Sequence, residues 1–412
     1  MQTTLAPRHQ GTPEGEQAAA ALRACVHCGF CLATCPTYRE LGDERDSPRG
    51  RIYLMKQVFE GEASGEPLRR HLDRCLTCRA CETACPSGVA YGRLLDAGRA
   101  VLAREAPRPA GRRLGRQALR LALTTRPLFA TGLALARRLR PLLPAAWRAR
   151  VPPAQTVGAW PPPRHARRMV VLRGCVQPAL DPGIDAAAAR VLDALGISLL
   201  AVDAGCCGAL AHHLDQHDAA VAAMQRSVRA AAAALDAGAE AVVSTASGCG
   251  VMLKDLGWQL RADPALAAEA ARVSARVRDI GEVVLADAAA LRARVAPGAV
   301  RTRVAWQAPC TLQHGQRRAD GIGDLLAALG YELSPAAEAA LCCGSAGTYS
   351  LLQPALAGAL RTRKLAALLA GRPQLIATAN IGCQTHLQAG TALPVRHWIV
   401  LVDAALRGVP PA

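Results

Sequence analysis

Aromatic residues are scarce in this chain: Phe, Trp and Tyr make up 3% of its 412 residues. Lysine is scarcer still, with only Lys56, Lys254 and Lys364, so the positive charge is carried by arginine. Basic residues without interleaved aromatics, and no helix-turn-helix or RNA-binding signature, argue against nucleic acid as a partner. No run of about 18 apolar residues occurs, so no spanning helix is expected. Met1 to Gln17 is polar and contains prolines, without the apolar stretch of a signal peptide. The chain is therefore expected to remain in the cytoplasm, where thiols stay reduced. No Gly-x-Gly-x-x-Gly turn follows a strand pattern, and no acid/base pair for hydride chemistry is evident, so no FAD and no catalytic residue are expected in this chain.

What the chain does have is cysteine, sixteen in all, half of them in one pattern written twice. Cys25-x2-Cys28-x2-Cys31-x3-Cys35-Pro36 is followed by Cys75-x2-Cys78-x2-Cys81-x3-Cys85-Pro86. This spacing ligates [4Fe–4S] clusters in bacterial ferredoxins. A thiolate at every third residue can wrap three corners of a cuboid cluster but cannot reach the fourth. In two-cluster ferredoxins the last Cys of each run crosses to the other cluster. The expected sets are Cys25, Cys28, Cys31 and Cys85 for one cluster, and Cys75, Cys78, Cys81 and Cys35 for the other. Pro36 and Pro86 are expected to break the chain after each crossing ligand. Zinc has no use for the third Cys of such a run, and disulfides need an oxidising compartment.

The formal charge is +17; two oxidised clusters with four thiolates each, at about −2 apiece, lower it to about +13. A basic chain of this kind suits an acidic partner subunit or an anionic membrane surface. A length of 412 residues allows two or three domains with full cores.

Along the chain, residues 1–17 read as a flexible N-terminus and 18–98 as the two-cluster ferredoxin-like domain. Between its cysteine runs, Ser47 is placed to cap a helix, Pro48 to start it and Gly61 to end it. Arg49 and Arg51 lie either near a cluster or at the solvated start of that helix, and the solvated start is the favoured reading. Residues 99–168 read as a connector: arginines recur among leucines over 112–147, broken at Pro127 and Pro141, before a proline-rich linker. Docking to a membrane surface or a subunit, and packing on a neighbouring domain, are both open for it.

From Met169 the chain is a duplication, with repeats at 169–262 and 301–412 joined by a helical connector at 263–300. Each repeat alternates strand and helix. The expected strands are Met169 to Leu172, Leu199 to Val202 and Ala241 to Ser244, then Val304 to Trp306, Tyr331 to Leu333 and Leu375 to Thr378. Cys175, Cys206, Cys207 and Cys249 in the first repeat correspond to Cys310, Cys342, Cys343 and Cys383 in the second. The alternation implies parallel sheet built from right-handed βαβ units. The cysteines fall near the C-terminal ends of strands, where open α/β sheets place ligands. Three readings are open for these eight: a further cluster, thiol or redox chemistry, or small buried residues. Adjacent cysteines are not expected to converge on one tetrahedral zinc. Gly208 and Gly344 suit a close backbone approach. His212, His213, His314, His386 and His397 lack metal-ligand spacing.

The duplicated Cys-Cys-Gly unit resembles the cysteine-rich domain of heterodisulfide reductase type, also found in anaerobic glycerol-3-phosphate dehydrogenase and lactate-utilisation proteins. That family ends each unit in Cys-x2-Cys, where this chain has Met252 and His386, so its five-cysteine cluster lacks a ligand here. Taken with Cys25-Val26-His27-Cys28-Gly29-Phe30-Cys31, Ser47-Pro48-Arg49-Gly50-Arg51-Ile52-Tyr53-Leu54-Met55-Lys56 and Cys75-Leu76-Thr77-Cys78-Arg79-Ala80-Cys81, the whole chain resembles glycolate oxidase iron–sulfur subunits. The resemblance implies a helical two-[4Fe–4S] module followed by a duplicated α/β domain. It implies FAD-binding partner subunits that oxidise glycolate or D-lactate, and transfer of their electrons to a quinone-type acceptor at the inner face of the cell membrane. The alternative family membership is the iron–sulfur subunit of an anaerobic glycerol-3-phosphate dehydrogenase, or a heterodisulfide-reductase-like enzyme with a catalytic Cys-Cys-Gly domain.

Overall fold

A computed structural model describes residues 1–144, 148, 151–155, 157–295 and 301–410. Parts of both expected connectors, at 145–147, 149, 150, 156 and 296–300, lie outside the described residues, as do 411 and 412. The chain forms two compact units: Met1–Gln117 with Ala340–Leu360, and Ala118–Ala339 with Arg361–Ala412.

The first unit is helical. Its elements are α1 (Pro13–Ala24), α2 (Pro36–Leu41), α3 (Pro48–Glu60), α4 (Glu66–Asp73), the single turn α5 (Ala80–Thr83) and α6 (Tyr91–Glu105). Helix α3 has the ends that its sequence dictates. Ser47 accepts a hydrogen bond from the Gly50 amide at 2.9 Å, Pro48 takes the first turn, and Gly61 closes the helix at φ +81°. Its inward face, Ile52, Met55, Val58 and Phe59, meets Leu22 of α1, Leu72 of α4 and Leu94, Leu95 and Leu102 of α6 in one core. Each such side chain contributes roughly 1.5–3 kcal/mol by burial. That core is the rigid frame on which both cysteine runs hang. Pro36 does not break the chain after Cys35: it sits at the first position of α2, where its missing N–H needs no partner.

Beyond α6 come α7 (Ala110–Thr124) and α8 (Arg126–Leu139), and neither has a buried residue. Leu114, Leu121, Leu128, Leu135, Leu139 and Leu142 are all exposed. Several arginines of this stretch turn inward. Arg108 clasps Asp73 with two bonds of 2.7 Å, Arg126 reaches Asp203 at 2.8 Å, and Arg137 donates to the carbonyls of Pro152 and Leu180.

The second unit holds two four-stranded parallel sheets of one topology. In the first, β1 (Arg167–Arg173), β2 (Ile197–Asp203), β3 (Val242–Ser244) and β4 (Val277–Asp279) lie in the order β2-β1-β3-β4. In the second, β5 (Arg303–Gln307), β6 (Glu332–Ser334), β7 (Leu375–Thr378) and β8 (Val395–His397) lie in the order β6-β5-β7-β8. Successive residues of β1 face opposite sides: Met169 and Val171 enter one core, Val170 another. Both faces are thus covered, as a parallel sheet requires. The two repeats share one core, in which Ile184, Val191 and Leu192 meet Trp398, Leu401 and Val402. Arg190 reaches across it to the buried Asp403 at 2.7 and 2.8 Å.

The sequence pattern predicts three strands per repeat, and each sheet has a fourth. Strands β4 and β8 are three residues long and run directly into the helices Ile280–Ala286 and Trp398–Leu406, so no break in the pattern sets them apart. Pro264 to Leu291, which reads as helical throughout, therefore contains the helix Ala267–Arg276, then β4, then the helix Ile280–Ala286. Asp279 caps that last helix in a full capping box with Glu282. Asp263 accepts from the amides of Ala265 and Leu266 just before the first helix.

Candidate metal centres

In each cysteine run, the third and fifth residues take left-handed backbone: His27 and Gly29 in the first run, Thr77 and Arg79 in the second. Three of the four are not glycine, so each carries strain of order 1 kcal/mol that the surrounding fold must hold. Alternation of this kind turns successive N–H groups toward one side, making a concavity that favours an anion.

Two cavities result. One of about 430 Å³ is lined by Cys25, Cys28, Cys31, Cys81 and Cys85. The other, about 300 Å³, is lined by Cys35, Cys75, Cys78 and Cys81. Each cavity thus includes three cysteines of one run and the fourth of the other, and Cys81 lines both. No disulfide joins any of the sixteen cysteines. Burial pushes the Cys31 thiol up to about 11 and raises the Cys81 thiol as well, so a metal must displace protons on binding them. Four thiols around an anion-favouring cradle are the donor set that an iron–sulfur cluster needs, and the residues fit the group.

The second cavity has a charged wall. Arg51, expected at a solvated helix start, is instead 1% exposed, with Nη1 3.9 Å from Cys35 Sγ. The signal is present in the sequence: Arg51 falls in register with Ile52, Met55, Val58 and Phe59 on the apolar face of α3. Arg49, two residues earlier on the helix, stays partly exposed beside the first cavity and binds Glu44 at 2.8 Å. Tyr91 Oη lies 3.6 Å from Cys75 Sγ. Asp43, Asp46 and His71 also converge, but Asp46 is bound by Arg51 and Arg74 and Asp43 by Arg45, so guanidinium groups already occupy the place of a cation.

In the first Cys-Cys-Gly repeat the topology supplies a second kind of site. Strand order reverses between β1 and β3, and the crevice at such a switch point is where open sheets bind ligands. Cys175 follows β1, Cys206 and Cys207 follow β2, and Cys249 lies in the helix Ser247–Lys254 after β3. Their side chains form a hydrogen-bonded row, Cys175 to Cys206 to Cys207 to Cys249. The adjacent pair is hydrogen-bonded to each other and, on either side, to Cys175 and Cys249. Gly208, at φ +95°, turns the chain immediately after it. Thiol donors at Cys175 and Cys207, with the amides of Gly208 and Leu210, hold the Cys206 thiol well below its ordinary value. The row raises Cys175 and Cys207 in return. One thiolate supported by neighbouring thiols is suited to ligate a metal or to attack a disulfide.

The second repeat is divided between the units. Cys310 and Cys383 belong to the second unit, where Asn380 Nδ2 lies 3.7 Å from Cys383 Sγ. Cys342 and Cys343, both buried, belong to the segment that packs with the first unit, where Tyr349 Oη donates to the Arg74 carbonyl at 3.0 Å. Met252 is a core residue. His397 is wholly buried, caps the last helix by accepting from the Ile399 amide, and is pushed down to about 3 by desolvation, so it remains neutral.

Family models match the same divisions: a 4Fe-4S dicluster domain over residues 21–89, and a cysteine-rich domain twice, over 169–254 and 304–388. The glycolate oxidase iron–sulfur subunit of Escherichia coli K12 is 46% identical over 98% of this chain and 99% of its own length. The probable glycolate oxidase iron–sulfur subunit of Bacillus subtilis 168 is 30% identical, covering 89% of this chain and 88% of its own. More distantly, a component of the CoM/CoB fumarate reductase of Methanothermobacter marburgensis is 24% identical over 91% of this chain and 69% of its own. With two ferredoxin cysteine runs, a duplicated Cys-Cys-Gly domain and similarity along nearly its whole length, the chain belongs to the family of glycolate oxidase iron–sulfur subunits.

Proposed function

We propose that this chain is the electron-transferring subunit of a glycolate oxidase. It would take electrons from FAD-binding partner subunits that oxidise glycolate to glyoxylate, or D-lactate to its 2-oxo acid, and deliver them to a quinone-type acceptor at the membrane. One cluster is held by Cys25, Cys28, Cys31 and Cys85, the other by Cys75, Cys78, Cys81 and Cys35. The observation that carries this reading is the composition of the two cavities, each of which includes three cysteines of one run and the fourth of the other. When bound, [4Fe–4S] clusters supply one-electron carriers, which a two-electron flavin needs in order to discharge.

The chain's own residues hold and shield those centres. The core of α1, α3, α4 and α6 fixes both runs, and left-handed residues recur within each of them. Cys28 is exposed at the first cavity, with Val26 and Phe30 exposed beside it, which offers a partner close approach there. The converging cysteines of the first repeat, Cys175, Cys206, Cys207 and Cys249, supply a further cluster or thiol site. Cys310, Cys342, Cys343 and Cys383 are their counterparts in the second.

Peripheral membrane binding falls to α7 and α8. From Ala106 to Leu180 there is no Asp or Glu, and exposed leucines beside arginines suit the surface of an anionic bilayer. No described helix is long and apolar enough to cross a membrane.

The test is iron and sulfide analysis with EPR of the anaerobically purified complex during reduction by glycolate, with glycerol 3-phosphate as the comparison substrate. Two or more [4Fe–4S] signals that appear with glycolate and not with glycerol 3-phosphate are expected. A preparation without iron, or reduction by glycerol 3-phosphate alone, would overturn the reading.

A further inference from the structure

Around Arg51 the first unit buries an unusual amount of charge. The guanidinium uses all three of its nitrogens: Nε donates to the His71 carbonyl at 2.7 Å, Nη1 to Thr37 Oγ1 at 3.0 Å, and Nη2 to Asp46 Oδ1 at 3.2 Å. The other Asp46 oxygen accepts from Arg74 Nη1 at 2.6 Å, and His71 Nδ1 lies 3.1 Å from Oδ1. Arg51 is 1% exposed and Asp46 0%. Two guanidiniums share one carboxylate, so the group carries a net positive charge. Buried charge without a counter-ion is strongly unfavourable. Groups able to become anions face it: Cys75 and Tyr91, and Cys35, whose sulfur lies 3.9 Å from Arg51 Nη1 and 3.3 Å from Thr37 Oγ1.

The first cavity is built otherwise. Its arginine, Arg49, has a side chain 32% exposed, is paired with Glu44 at 2.8 Å and donates to the His27 carbonyl at 3.4 Å. A paired charge open to solvent acts weakly at a distance, whereas a net charge in the interior is screened little.

We propose that Arg51 sets the reduction potential of the cluster bound by Cys35, Cys75, Cys78 and Cys81. Burial alone makes it costly to add an electron to a group that is already anionic, and the fixed cation beside Cys35 offsets that cost. Arg51 is thus a tuning residue, and it lines the second cavity and not the first. The inference rests on the ligand sets proposed above.

The test is an EPR-monitored redox titration of the full-length chain in its complex, as wild type and with Arg51→Gln, Arg51→Lys, Asp46→Asn and Cys35→Ser. Arg51→Gln removes the charge and should lower the midpoint of one signal by at least about 59 mV, a tenfold loss in a one-electron equilibrium, leaving the other signal in place. Arg51→Lys should restore most of the shift. Asp46→Asn removes the compensating anion and should raise the same midpoint. If Arg51→Gln does not retain the cluster, the direction of the Asp46→Asn shift decides. Cys35→Ser should alter the same signal. If it alters one signal while Arg51→Gln and Asp46→Asn leave both midpoints unmoved, the ligand sets stand and the tuning role is refuted. If Cys35→Ser leaves both signals unchanged, the ligand sets fail and the tuning role with them.

Discussion

Replacing Gly208 with alanine isolates what the Cys-Cys-Gly signature demands of its glycine. Gly208 sits at φ +95°, and a Cβ there would lie 2.9 Å from Met224 Cγ and 3.0 Å from the Ala220 carbonyl oxygen. Gly238, in the same unit, has nearly the same backbone at φ +94° but nothing within 4 Å of its would-be Cβ. Left-handed backbone costs an L-residue about 1–2 kcal/mol, and both substitutions incur that. Only at Gly208 does overpacking add about 1–3 kcal/mol, because the Ala220 oxygen is backbone and Met224 is itself buried. The difference between the two variants should therefore be about 1–3 kcal/mol, or several degrees in melting temperature at roughly 2–4 °C per kcal/mol. Thermal melts of the full chain, run side by side under anaerobic conditions, measure it. Gly208→Ala should also disturb the thiol row, since Cys206 and Cys207 immediately precede it. If the two variants melt within a degree of each other, close approach is not the reason for this glycine. Gly344, with the Ala357 carbonyl oxygen 2.7 Å from its would-be Cβ, should behave like Gly208.

Cys85→Ser should degrade the signal of the cluster held by Cys25, Cys28 and Cys31 rather than that of its own run, as read by EPR and iron content; loss confined to the second cluster would refute the crossed sets. Asp279 is buried and its carboxyl is raised by desolvation to about 6. A folded-state value above the unfolded one of about 3.9 means that the ionised carboxylate weakens the fold above pH 6, by up to about 3 kcal/mol, and that this penalty fades as pH falls toward 4. Asp279→Asn, which keeps a competent cap, should gain stability at pH 8 and lose that advantage near pH 4 in denaturant titrations; a gain independent of pH would refute the assignment. Leu121→Asp with Leu135→Asp should reduce co-sedimentation with anionic phospholipid vesicles at least tenfold while leaving iron content unchanged, since both leucines are exposed. Unaltered vesicle binding would remove α7 and α8 from the membrane role.

Features set by contiguous residues were legible in the sequence. The two cysteine runs, the duplication, and the start and end of α3 at Ser47, Pro48 and Gly61 all depend on spacing within a few turns of chain. Strands β4 and β8 left no such trace, because each runs without a break into a following helix and its place is fixed only by pairing with β3 and β7. The tertiary structure also decided that Cys206 and Cys207 join a row with Cys175 and Cys249, and that Cys342 and Cys343 belong to a segment grouped with the helical unit. Arg51 shows the reason most clearly. Its helical register was readable, but its neighbours Thr37, Asp46, His71 and Cys35 come from separate segments of chain. Local pattern determines which side chains share a face; only the packing of distant segments determines whether a charge on that face meets water or a carboxylate and a thiol in the interior.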